Sequence, residues 1–131
     1  MPLRPRLVLL ALAVLSLAGC GADPSAPEAA AVAFARAAAG GDAEAACELL
    51  SPAVAESLAG RSGSCANAVA EEPPPGAAPV VRSERYGQQA LVVTADDTIF
   101  LSRFPGGWKV IAAGCTPQGG SKPYDCTVSE G

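Results

Sequence analysis

The run Pro73-Pro74-Pro75-Gly76 divides the chain into two stretches that cannot share one kind of secondary structure. Three successive prolines remove three backbone donors and fix φ near −65°, so neither a helix nor a central strand runs through them. Upstream, small apolar residues recur between N-cap residues and glycines, which is the pattern of short helices. Downstream of Pro79, β-branched and aromatic residues fall in runs of about six separated by turn residues. Helices first and an antiparallel meander second is an α+β arrangement, with the helices packed on one face of the sheet.

The local signals place the elements. Ser25 and Glu28 form an S-x-x-E capping box, and the helix that follows runs through Ala39 to Gly40-Gly41. Asp42 is an N-cap for a second helix over Ala43–Leu50. Ser51-Pro52 starts a third, ending near Gly60. Arg61-Ser62-Gly63 reads as a loop, and Ser64 caps a fourth helix to about Glu72. Strands are expected over Val80–Tyr86, Ala90–Ala95, Thr98–Phe104 and Trp108–Ala113, with Asp125–Ser129 as a short fifth.

The first twenty residues read as an address. Arg4 and Arg6 precede an apolar run, Leu7–Leu17, that closes with Leu17-Ala18-Gly19-Cys20. A basic start, a short apolar stretch and a small-residue cleavage site make a secretory signal, while about 20 apolar residues are needed to span a bilayer. Leu-Ala-Gly-Cys resembles the bacterial lipobox. That resemblance implies a diacylglycerol on the Cys20 thiol and cleavage before it, with palmitate among the acyl chains. The division is then residues 1–19 as signal peptide, 20–25 as lipidated cysteine and tether, and 26–131 as one domain. The partner implied at that end is the membrane, and the location is its extracytoplasmic face.

Export makes the remaining cysteines meaningful. Cys47, Cys65, Cys115 and Cys126 are an even set in an oxidising compartment, which reads as two disulfides with three possible connectivities. Zinc fails on spacing, since no C-x₂-C pair exists. Sequential pairing, Cys47 with Cys65 and Cys115 with Cys126, is preferred because each closes a local loop. Staples matter here: the chain has 28 Ala against six aromatic residues, so its helices bury little area each.

The element order resembles the NTF2-like (cystatin-like) fold, in which short helices lie across a curved antiparallel sheet of four to five strands. The residues that carry it are Phe34 with Gly41-Asp42 at the first helix junction, and the strand-turn-strand Phe100-Leu101-Ser102-Arg103-Phe104-Pro105-Gly106-Gly107-Trp108-Lys109-Val110. More narrowly the chain is similar to small actinobacterial lipoproteins that join a lipobox, this junction and a cysteine-stapled C-terminus. High-GC coding, visible in the excess of Ala, Gly, Pro and Arg over Lys, agrees. The resemblance implies a cone that members use for catalysis, for ligand binding or for assembly.

Chemistry-bearing patterns are few. With no His, no Ser-His-Asp triad, Cys-His pair or His-ligated metal can be built. Asp96-Asp97 is read as a hairpin turn in preference to a cation site. Gly60-Arg61-Ser62-Gly63-Ser64 lacks the P-loop lysine and reads as a connection. Glu71-Glu72 reads as a solvated helix end, and Arg82, Arg85 and Arg103 as the solvent face of the sheet. Residues 20–131 carry a net charge of −6, from seven basic and thirteen acidic side chains, which argues against a nucleic-acid partner. The expected function is a non-enzymatic binding or interaction module without cofactor or metal, its partner another cell-envelope protein. The alternatives are a small apolar-ligand carrier or sensor, with Phe34, Phe100, Phe104 and Trp108 lining a pocket between sheet and helices, and an NTF2-like enzyme.

Overall fold

The computed structural model describes residues 23–131; the expected signal peptide and Cys20 lie outside the described residues. Four helices precede five strands: α1 (Pro27–Ala39), α2 (Ala43–Glu48), α3 (Pro52–Ser62), α4 (Cys65–Glu71), then β1 (Val80–Tyr86), β2 (Gln89–Thr94), β3 (Thr98–Phe104), β4 (Gly107–Thr116) and β5 (Asp125–Val128). The sheet is an antiparallel meander in the order β1-β2-β3-β4-β5.

Three helix starts follow from their caps. Asp42, Ser51 and Ser64 accept from the N–H groups of Ala45, Val54 and Asn67 at 3.1, 3.3 and 3.0 Å. Each satisfies one of the donors a helix leaves unpaired at its start. The first helix departs from expectation. Ser25 does not cap it; its hydroxyl and N–H both donate to Asp23 Oδ1, at 2.7 and 2.9 Å. Pro27 sets the start instead, because its fixed φ suits the first helical position and its missing N–H costs nothing there.

The second helix ends two residues early. Leu49 and Leu50 leave it because β4 offers better partners: the Val110 N–H donates to Leu49 O at 2.8 Å and the Ser51 N–H to Val110 O at 2.9 Å. Leu50 thereby forms a parallel bridge with Val110, and the α2–α3 linker acts as a one-residue strand on the edge of β4 that β5 leaves free. The third helix runs two residues further than expected, so Arg61 and Ser62 are helical.

β4 extends past Ala113 to Thr116. The register with β3 shifts between Phe100 and Leu101, where Ile111 is the extra residue of a bulge. Further along, Gly114 takes φ +63°, and a Cβ on it would lie 2.1 Å from Thr127 Oγ1. Only glycine fits there, and with it β4 continues into its pairing with β5.

The core lies between the helices and one face of the sheet. Ala31, Phe34 and Ala38 of α1, Leu50, Val54 and Leu58 of the next two segments, and Val69 of α4 meet Ala90, Val92, Ile99, Leu101, Trp108, Val110 and Ala113. Both disulfides are present, sequentially paired: Cys47–Cys65 joins α2 to α4, and Cys115–Cys126 joins opposed residues of β4 and β5.

Candidate functional site

Alternation along the strands separates two faces. Residues opposite one another in an antiparallel pair share a face, so Val92, Ile99 and Leu101 point at the helices, while Leu91, Val93, Phe100 and Ser102 point away. Among the described residues no helix covers that second face, and Leu91, Val93, Phe100 and Ser102 are half-buried there. Phe100 meets Tyr124, from the β4–β5 loop, edge to face with ring centroids 5.2 Å apart. A hollow of about 230 Å³ opens there, bordered by Tyr86, Gln89, Leu91, Phe100 and Ile111. The bulge contributes directly, because Ile111 and Ala112 both stand opposite Phe100 and so add a side chain to this face. Tyr86 is 63% exposed. Its hydroxyl donates to Glu84, and that bond holds its pKa above the usual phenol value.

The four aromatic residues proposed for one pocket therefore divide. Phe34 is fully buried in the helix-side core and Trp108 is nearly so, whereas Phe100 and Phe104 belong to the open face. The space between helices and sheet is occupied by Phe34, Ile99, Leu101, Val54, Val69, Val92 and Val110, all under 2% exposed. Periodicity groups Phe100 with Phe104 on one face of β3, but it cannot say which face the helices choose.

The arginines divide as well. Arg82 is on the open face, 3.7 Å from Glu84, while Arg85 and Arg103 sit opposite Ala90 and Trp108 on the helix side. The Arg85 guanidinium lies over the Trp108 ring, 5.7 Å from its centroid. Arg61 is helical and donates to Ser129 O at 2.9 Å, and Ser57 donates to Glu130 O. The Gly60–Ser64 segment thus holds the C-terminal tail. Glu71 and Glu72 are exposed at the end of α4.

Asp97 is more than a turn residue. Its carboxylate is buried and accepts from three N–H groups: Thr98 at 2.7 Å, Gly114 at 2.9 Å and Cys115 at 3.0 Å. Thr94 completes the turn, its hydroxyl accepting from the Asp97 N–H at 2.9 Å. The carboxylate closes the gap that the Gly114 kink opens in the ladder. Sequence reasoning placed the turn correctly and missed this long-range tie, whose partner is 17 residues away. Among the described residues, no group of three or more His, Cys, Asp or Glu side chains is placed to hold a metal ion.

Other recesses lie at the surface. One of about 480 Å³ separates the start of α1 from the β3–β4 turn, with Pro24, Ala29, Ala33, Leu49, Gly106 and Trp108 on its walls. Among the described residues, no helix is long and apolar enough to cross a membrane. No family model, curated protein or solved structure matches the chain.

Proposed function

We propose that the chain is an extracytoplasmic lipoprotein, held in the cell membrane by a diacylglycerol on Cys20. Its NTF2-like domain serves as a non-enzymatic module that docks another cell-envelope protein on the open face of the sheet. The observation that carries this reading is the hollow between Tyr86, Leu91, Phe100 and Ile111. Its volume, about 230 Å³, falls below that of ordinary small-ligand pockets, roughly 300–1,000 Å³. It suits one inserted side chain of a protein partner, ringed by half-buried apolar residues, which is the form of an interface anchor. A carrier using the cone needs room between the layers, and Phe34, Ile99 and Leu101 occupy that space.

Two measurements test the two halves of this reading. Cys20→Ala should release the protein from the membrane fraction; retention of the variant there removes the anchor. For the docking face, a photo-crosslinker at Gln89 in intact cells should yield a discrete adduct that Phe100→Ser abolishes with the fold intact. An adduct pattern indifferent to Phe100→Ser removes the module reading.

A further inference from the structure

The two edge strands of the sheet differ in how they are covered. β5 is four residues long, and the chain just past it is held by α3, through the Arg61 guanidinium on Ser129 O and the Ser57 hydroxyl on Glu130 O. β1 is seven residues long and pairs on one side only, with β2. The helix α1 packs over β2, β3 and β4 and meets β1 through the bond from the Ser83 hydroxyl to Glu28. Every residue of β1 except Glu84 is exposed. Val80, Val81 and Tyr86 are three of the four large apolar residues exposed among the described residues. A recess of about 470 Å³, lined by Ala29, Val32 and Ala33 of α1 and by Val80, lies beside the same strand. Unpaired backbone and exposed apolar surface thus coincide, which makes β1 a template for another strand.

The backbone determines which groups are offered. Tyr86 and Gln89 close the two-residue turn Gly87-Gln88 as a hydrogen-bonded pair. By alternation Glu84 and Arg82 also bond β2, while the N–H and C=O groups of Arg85 and Ser83 point outward. The side chains determine which strand can use them. A second copy related by a two-fold axis normal to the sheet pairs antiparallel. Each residue then opposes itself or one an even number of places away, because opposed residues share a face. Centring on Arg82, Glu84 or Arg85 sets like charge against like. Centring on Ser83 sets Arg82 against the partner's Glu84, and Glu84 against the partner's Arg82, in the pairs not hydrogen-bonded, where side chains are closest. Arg82 and Glu84 already lie 3.7 Å apart within one chain, so the two copies together make a group of four charges alternating in sign. On the helix side Ser83 meets its own counterpart, and each copy brings one acid, Glu28, and one base, Arg85.

We infer that β1 pairs antiparallel with β1 of a second copy of this chain, centred on Ser83, so that one sheet continues through both molecules. Ser83 exchanges two backbone hydrogen bonds with its counterpart. The bulge at Val81 limits the regular run to a few residues, so the assembly is a reversible one. The inference rests neither on the proposed anchor at Cys20 nor on the proposed docking hollow at Phe100.

Introduced cysteines read the register. With Ser83 on the axis, the Cα atoms of Arg82 and the partner's Glu84 are about 4.5 Å apart, within disulfide reach. Each is about 8 Å from its own counterpart, which is beyond that reach. Full chains carrying Arg82→Cys and Glu84→Cys, with different tags, would be purified in a mild detergent, mixed and treated with a mild oxidant. The mixture should give a covalent dimer holding both tags, and neither variant alone should give one. A mixture without that dimer, or equal dimer from a single variant, overturns the inference. Charge reversal checks the cause. Arg82→Glu and Glu84→Arg should each weaken self-association in sedimentation by about tenfold, since each sets like charges opposite one another twice. Mixed together they should associate as the parent does, because every opposed pair is again of unlike sign, and this recovery shows that both variants are folded. Association unchanged by either reversal, or no recovery on mixing, overturns the pairing.

Discussion

At the scale of single residues, the buried carboxylate of Asp97 ties together two separate parts of the sheet. It satisfies the Gly114 and Cys115 N–H groups, which the kink at Gly114 takes out of the β3–β4 ladder. Asp97→Ala leaves them without a partner beside a buried site, and should lower the stability measured by urea unfolding by about 3 kcal/mol. Asp97→Asn keeps one acceptor oxygen and should cost less. Glu28 makes a smaller and pH-dependent contribution. The Ser83 hydroxyl chiefly, and the Arg85 charge more weakly, hold its carboxyl below the ordinary value of 4.5. A carboxyl whose pKa is depressed in the folded state adds stability above its unfolded pKa, and loses it as pH falls through the folded value. Thermal melts should therefore show Glu28→Gln less stable than the parent at pH 7, by no more than about 1 kcal/mol given its solvent contact, and the gap should close below pH 4.5. A gap independent of pH would place the effect in packing.

At the scale of elements, the helices were legible where a single side chain decides them. Asp42, Ser51 and Ser64 act on donors three residues away, and a short-range hydrogen bond is written in short-range sequence. Ser25 misled because a second acceptor, Asp23, lies closer than the helix. What sequence could not show was decided at long range. Leu50 leaves α2 for Val110, 60 residues on, and β4 passes a glycine that reads as a stop because Asp97 repairs the gap. The disulfides divide along the same line. By loop entropy each contributes about 3 kcal/mol, for closures of 18 and 11 residues. Their removal should not be equal. Cys115–Cys126 bridges strands that a ladder already pairs, whereas α2 and α4, of six and seven residues, are too short to hold themselves. Replacing Cys47 and Cys65 together by Ala should lower the melting temperature more than replacing Cys115 and Cys126. The reverse order would mean that the helical layer is held mainly by its apolar contacts.

At the scale of the molecule, the proline run makes a division that chain order alone does not express. The α+β class and the strand order were readable because the switch from helical to strand pattern coincides with Pro73-Pro74-Pro75-Gly76. Which sheet face the helices cover was not readable. Both faces carry apolar residues, and the choice rests on how Phe34, Leu50 and Val54 fit against Ile99, Leu101 and Val110. Each disulfide also lies wholly within one half, so among the described residues positions 72–79 are the only covalent path between them. A protease cut in that segment should give two fragments on a denaturing gel without reductant, yet one species by size-exclusion chromatography, since the shared core persists. Separation of the fragments under native conditions would show that the linker itself is needed.

The same division bears on mechanical load. If the anchor proposed at Cys20 is on the helical half and the proposed docking face on the sheet half, a partner pulling on the domain would be resisted by the interlayer core and the Leu49–Ser51 hydrogen bonds to Val110. The linker would carry tension only after those contacts part. A nicked molecule would then behave as a coupling that slips at a threshold force, shedding its sheet half with whatever is bound to it. The intact chain would stretch and close again.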